Sequence, residues 1–182
     1  MSKAAFFLAD GFEEVEAIAP IDILRRGGVE VTTVSINGSL TVHGSHNIDV
    51  TADVLFEDFD ADDQDMLILP GGGLGTKNLK AHTELHKLLK DFYGKDRYLA
   101  AICAAPTVFG MLGFLEGKKA TCYGGMEEGL TGADVSCDPV VRDGKIITSR
   151  GMGTAILFGL ELLSVFTDRE TADKMAETIM MP

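Results

Sequence analysis

Three times along this chain a near-continuous apolar run enters a turn of small residues and emerges as a segment with helical periodicity, a pattern that few architectures accommodate. Lys3–Leu8 runs into Asp10-Gly11 ahead of Glu13–Arg26, where apolar residues recur at helical spacing until Gly27-Gly28 stops them. Asp65–Leu69 runs into Pro70-Gly71-Gly72-Gly73, and Tyr98–Ile102 is delivered straight into Cys103 and a helical stretch from Pro106 onward. Strands that are apolar on both faces belong inside a sheet covered on both sides, and strand-helix alternation makes that sheet mostly parallel. The prediction is a doubly wound α/β sandwich, in which ligands sit beyond the carboxyl ends of the strands.

The remaining segments fill in this frame. Val29–Ile36 reads as a strand closing on Asn37-Gly38, a hairpin signal that predicts Leu40–Val42 returning beside it. A helix is predicted over Thr83–Tyr93, and later strands over Ala120–Tyr123, Val140–Arg142 and Ile146–Thr148, the last two joined at Asp143-Gly144. Two helices, about Thr154–Phe166 and Arg169–Met180, close the chain. At roughly 150 residues per domain, residues 1–182 are expected to form one domain.

Composition narrows the function. Hydrophobic residues at 46% and charged residues at 24% exclude global disorder. No apolar run approaches the roughly 20 residues of a membrane helix, and Met1–Ala9 is too short and too soon followed by acids to be a signal peptide. A cytoplasmic protein with no membrane partner is expected. With 16 basic against 28 acidic residues the net charge is −12, a surface that repels phosphate backbones, so no nucleic-acid partner is expected either. Cys103, Cys122 and Cys137 are widely spaced with no CxxC pair, which suggests neither a disulfide framework nor a zinc site.

Chemistry concentrates at the strand-to-helix turns. Ala101-Ile102-Cys103-Ala104-Ala105 has the form small-x-nucleophile-x-small, the pattern of a nucleophile elbow. A helix dipole facing Cys103 is expected to lower its thiol pKa from about 8.5; Cys122 and Cys137 are expected to be structural. On a helical wheel Glu14, Asp22, Arg25 and Arg26 share one arc, whereas Glu16 points to the apolar side. A carboxyl desolvated there has a raised pKa and can shuttle a proton to and from a thiolate; Glu13 and Glu14 are expected only to complement the helix dipole. The amides of Gly71, Gly72 and Gly73 can form half of an oxyanion site, with the amide of Ala104 as the other half. His82 and His86, at i, i+4, are expected on a solvated helix face, while His43 and His46 can reach a site, within the chain or across a subunit boundary.

Together Asp10–Glu16 with Pro20 and Asp22, Leu69–Gly75, Ala100–Thr107 and Thr148–Thr154 resemble the ThiJ/PfpI family, in particular the branch containing the human Parkinson-linked protein deglycase and bacterial relatives. The resemblance implies a flavodoxin-like sandwich, usually a homodimer, with Cys103 as nucleophile, Glu16 as its protonated partner, and the amides of Gly72 and Ala104 lining an anion pocket. It implies a cofactor-free, metal-free deglycase or glyoxalase acting on methylglyoxal, glyoxal or their adducts, or alternatively a stress sensor whose cysteine becomes a sulfinate. Other members carry protease, chaperone or thiamine-biosynthesis labels. Where relatives often place a histidine near the cysteine this chain has Tyr123, which weakens a protease reading, and Met152 stands where a proline is expected. His46 takes the place of a basic residue brought in from the hairpin region. Tyr123, Met152, His46 and Arg26 are the candidate pocket residues.

Overall fold

The structure, a computed structural model, describes residues 2–182; Met1, where the expected domain begins, lies outside the described residues. Eleven strands and six α-helices follow one another as β1 (Lys3–Leu8), α1 (Glu14–Arg26), β2 (Glu30–Ser35), β3 (Thr41–His43), β4 (Asp49–Thr51), β5 (Val54–Leu55), β6 (Met66–Leu69), α2 (Gly73–Ala81), α3 (Thr83–Gly94), β7 (Tyr98–Ile102), α4 (Pro106–Met111), β8 (Lys119–Ala120), β9 (Asp134–Val135), β10 (Val140–Asp143), β11 (Ile146–Ser149), α5 (Ala155–Phe166) and α6 (Arg169–Thr178). Seven strands form the main sheet in the order β10-β11-β7-β6-β1-β2-β5. All neighbours are parallel except β10, which returns antiparallel along β11 through the predicted Asp143-Gly144 turn. Strand order reverses between β1 and β6, which opens a crevice beyond their carboxyl ends.

Alternation along β1 builds both halves of the core. Ala4, Phe6 and Leu8 face one side with α1 and α5, packed among Leu24, Phe158 and Leu163. Ala5, Phe7 and Ala9 face the other with α3 and α4, among Leu85, Leu89 and Phe109. Successive side chains of a strand point to opposite faces, so one apolar run supplies both layers. Burying a single Phe side chain contributes about 1.5–3 kcal/mol, and Phe6 and Phe7 are both fully buried.

Two predicted elements differ, and one helix is additional. Beyond Asn37 the chain does not return along β2; β3 pairs with β4, and the free edge of β2 is taken by β5 in parallel. The Asn37 side chain redirects it: Oδ1 accepts from the Ser39 amide at 2.9 Å while Nδ2 donates to Asp10 Oδ1 at 2.7 Å. The β3-β4 hairpin is thereby folded over the end of β1, where the Gly11 amide donates to the His43 carbonyl at 2.7 Å. The strand expected over Ala120–Tyr123 is shortened to Lys119–Ala120, because the Thr121 amide is claimed by Thr148 Oγ1 and the Tyr123 amide by the Cys103 carbonyl. Helix α2, which lacks an apolar repeat, starts inside the glycine turn at Gly73. Among the described residues no helix is long and apolar enough to cross a membrane.

Helices α1 and α5 lie side by side at Gly159. A Cβ there would stand 2.8 Å from Ile23 Cδ1 and 3.0 Å from Pro20 Cα, too close for either helix to keep its seat. Gly159→Ala is expected to lower unfolding stability by about 1–3 kcal/mol through overpacking, read as a lower midpoint in urea.

Candidate active site

The turns after β1, β6, β7 and β11 converge on the crevice. Cys103, the first residue after β7, adopts φ +66°, a left-handed backbone that is strained for any residue but glycine. Such a residue costs about 1–3 kcal/mol and persists only where its surroundings hold it. Here two hydrogen bonds do so: its amide donates to the Ser149 carbonyl at 2.9 Å, and its carbonyl accepts from the Tyr123 amide at 2.8 Å. This is the elbow geometry, and it turns the thiol out of the sheet while leaving it half-buried.

Glu16 reaches the same point from α1 and is 1% exposed. Glu13 caps that helix, its carboxylate accepting from the Glu16 amide at 2.7 Å. The Glu16 carboxyl accepts from the Gly71 amide at 3.1 Å and shares a hydrogen bond with the Cys103 thiol. Contact is tight enough that a Cβ on Gly71 would lie 2.5 Å from Glu16 Oε2 and 2.6 Å from Cys103 Cβ. Gly72 takes φ +95°, and a Cβ there would strike the Gly11 carbonyl oxygen at 2.2 Å, so glycine alone fits.

Burial raises the Glu16 carboxyl to about 7, against hydrogen bonds from Cys103 and from the Gly71 and Met152 amides that pull it down. Cys103 is pushed up to about 12, first by burial and then by the Glu16 charge and hydrogen bond; the Gly72 and Ala104 amides oppose the rise. This corrects the expectation of a lowered thiol pKa. Helix α4 is only six residues long, and its dipole is outweighed by desolvation and by a facing acid. Because one hydrogen bond joins the two groups they titrate as a pair, whose first ionisation near 7 leaves one negative charge in the pocket.

The other candidates separate. The amides of Gly72 and Ala104 address the Cys103 sulfur, whereas that of Gly71 is committed to Glu16. Tyr123 and Met152 line an open cavity of about 450 Å³ with Gly124, Arg150, Gly151 and Thr154. It adjoins the carboxyl: a Cβ on Gly151 would stand 3.4 Å from the Tyr123 ring and 3.7 Å from Glu16 Oε1. Arg26 is not brought there. It sits ten residues along α1 from Glu16, about 15 Å at 1.5 Å per residue, and pairs with Asp22 at 2.6 Å.

His46 engages Glu14 instead of the thiol. Its amide donates to Glu14 Oε1 at 2.6 Å, its Nδ1 pairs with Oε2 at 2.9 Å, and Ser45 Oγ donates to Oε2 at 3.2 Å. Burial would raise the Glu14 carboxyl, but the His46 and Ser45 hydrogen bonds overcome it and hold the group at about 2. Glu14 is buried and ties the hairpin to α1, which corrects the expectation that it only complements the helix dipole. Glu13, Glu14 and His46 offer ligand atoms within 4.8 Å of one another, though Glu14 and His46 are already paired. His43 pairs with Asp49 at 2.8 Å. His82, expected on a solvated face, is half-buried, caps α3 by accepting from the Leu85 amide at 3.0 Å and packs on Phe56. Sequence reasoning also missed the Ser149 carbonyl, which no side-chain pattern reveals, and Arg150, although it lies within the Thr148–Thr154 motif.

The profile of the DJ-1/PfpI family matches residues 2–165. The chain belongs to the DJ-1/PfpI family. The Arabidopsis thaliana Protein DJ-1 homolog B is 40% identical over 98% of this chain, which spans only 41% of that longer protein. The Schizosaccharomyces pombe protein called Glutathione-independent glyoxalase DJ-1 is 32% identical over the full length of both chains. The solved structure of oxidized Toxoplasma gondii DJ-1 superposes with a TM-score of 0.95 at 32% identity, covering 99% of this chain and 98% of that one. That DJ-1 structure shares the mostly parallel sheet flanked by helices.

A buried carboxyl whose pKa rises on folding stabilises the fold most when protonated. The Glu16 contribution is fully present below its ordinary value of 4.5 and is lost as pH rises through about 7. From about pH 6 to about pH 8 the protein is expected to lose about 1 kcal/mol of stability from this group. Urea midpoints of the unaltered chain and of Glu16→Gln, which should show a flatter profile, measure it.

Proposed function

We propose that this DJ-1/PfpI protein is a cysteine-dependent glyoxalase or deglycase acting on small dicarbonyls such as methylglyoxal, or on their adducts with amines and thiols. The observation that carries this reading is a raised carboxyl sharing a hydrogen bond with a strained, half-buried thiol, beside two amides addressing the same sulfur. The relative named as a glutathione-independent glyoxalase supports it.

Each step follows from that geometry. Cys103 Sγ adds to the aldehyde carbon while its proton passes to the Glu16 carboxylate, which acts as general base. The carbonyl oxygen, now an oxyanion held by the Gly72 and Ala104 amides, takes a proton back from Glu16 to give a hemithioacetal. Glu16 next removes the hydrogen of the former aldehyde carbon as a proton and returns it to the adjacent keto carbon, while the hemithioacetal hydroxyl proton passes to the former keto oxygen, leaving a lactoyl thioester on Cys103. Water cleaves that ester, releasing lactate and restoring the thiol, so electrons balance within the substrate. With an adduct, the amine or thiol of the glycated partner departs as leaving group. Tyr123 and Met152 bound the space in which the methyl end is held.

A second reading, a thiol-based oxidative-stress sensor, is favoured by one observation: a relative of this fold was solved in an oxidized state, and the amides at Cys103 suit sulfinate oxygens. We also propose a homodimer. Val15 and Ile18 on α1, with Ile156 and Leu157 on α5, leave apolar side chains exposed along two adjoining helices, a surface that a second copy would cover. Sedimentation should give twice the chain mass, and Ile18→Glu should shift the protein to monomer.

Lactate formation from methylglyoxal should vanish in Cys103→Ser and fall by at least about 100-fold in Glu16→Gln, the usual worth of a general base. In the unaltered chain kcat/KM should climb towards about 7 as Glu16 ionises, and Glu16→Gln should lack that limb. Activity persisting in Cys103→Ser overturns the reading. Absent turnover with a gain of two oxygens at Cys103 under peroxide selects the sensor instead.

A further inference from the structure

The two cysteines that this chemistry leaves unused each follow one strand of the short β8-β9 pair, Cys122 two residues after Ala120 and Cys137 two residues after Val135. β8 and β9 pair in parallel with Lys119 against Asp134 and Ala120 against Val135, and carrying that register two residues further sets Cys122 against Cys137. The ladder reaches almost that far: the Asp134 amide donates to the Lys118 carbonyl and the Ser136 amide to the Ala120 carbonyl, both at 2.8 Å. Paired strands stand about 4.8 Å apart, inside the Cα separation of about 4.4–6.8 Å that a disulfide bridges. Residues two apart on a strand share a face, so Cys122 projects with Ala120 and Cys137 with Val135, on the same side. Beyond Ser136 the ladder ends, since the Asp138 amide turns to Ser136 Oγ at 3.0 Å, and Cys137 is released from the rung that would hold it rigidly parallel.

Arg150 provides an independent link. Its Nη1 donates to the Cys137 carbonyl at 3.2 Å; burial and then the Glu127 charge push the Cys122 thiol up to about 11, and the Arg150 charge opposes that rise. Exposure divides the pair into two chemical roles: Cys137 is exposed and open to an oxidant, whereas Cys122 is buried.

We propose that Cys122 and Cys137 form a second, peroxide-responsive thiol pair that closes to an intrachain disulfide and tethers the segment carrying Tyr123. The Cys137 thiolate attacks one peroxide oxygen, the O–O bond breaks, and a sulfenic acid forms as hydroxide leaves and is protonated to water. The Cys122 sulfur then attacks the sulfenic sulfur, the S–S bond forms, and the sulfenic oxygen departs as water with the Cys122 proton. In sum two thiols are oxidised and one hydrogen peroxide is reduced to two waters. The tether bears on the site because the Tyr123 amide, one residue from Cys122, holds the Cys103 carbonyl in its elbow.

The test uses the full chain bearing Cys103→Ser, which removes the competing thiol, with hydrogen peroxide as oxidant, followed by unfolding and alkylation. The proposal expects a mass lower by about 2 Da than the reduced chain, no alkyl group on Cys122 or Cys137, and a joined Cys122–Cys137 peptide that dithiothreitol separates. Adding Cys137→Ser should return Cys122 to full alkylation after the same treatment. The same two peptides read in the unaltered chain give the result independently of how Cys103→Ser folds. Full alkylation of Cys122 with added oxygen on Cys137 overturns the proposal. So does a joined peptide found only in a species of twice the chain mass on a non-reducing gel.

Discussion

The Glu16 carboxyl and the Cys103 side chain meet across Gly71, at a separation that a single added methyl would abolish. Much of the site depends on that contact. It requires glycine at the end of β6, an elbow that turns Cys103 toward α1, and a first helical turn that carries Glu16 inward. The Gly71 amide orients the carboxyl, and the surrounding burial keeps water from levelling its pKa. Removing an acid from water costs free energy, and the fold tolerates that cost because the acid is hydrogen-bonded to an amide and a thiol.

Topology brings these parts together. Reversal of strand order between β1 and β6 leaves a crevice at the sheet's carboxyl edge, and four connections, after β1, β6, β7 and β11, open into it. Each contributes something different: an acid, a glycine turn, a nucleophile, and a wall with Arg150 and Met152. The outer support is polar. Glu14, His46 and Ser45 clip the β3-β4 hairpin onto α1, and Asp10 with Asn37 fold that hairpin over the end of β1. These bonds hold the first turn of α1, and with it Glu16, against the sheet.

Membership of the DJ-1/PfpI family fits this architecture, and the same small constellation suits both dicarbonyl chemistry and oxidation. In either case the reacting sulfur needs a base to take its proton and amides to receive developing negative charge. The wall of the cavity carries Tyr123 and Met152, and Cys122 directly precedes the residue whose amide supports the Cys103 carbonyl.

Apolar runs, glycine turns and the side on which Glu16 falls were legible in the linear chain, because strand and helix periodicity are local properties that each segment carries alone. They determined the doubly wound sandwich, its three strand-to-helix junctions, and the choice of Cys103 and Glu16. The partner of β3, the burial of Glu14 beside His46, the remoteness of Arg26 and the upward displacement of the Cys103 thiol were decided only by tertiary structure. Each of these depends on groups far apart in sequence: Asp10 redirects the chain at Asn37, and Glu16 faces a thiol 87 positions away. Electrostatic and steric effects act through space, so a helix dipole that looks decisive along the chain yields to a buried acid once folding sets the two side by side.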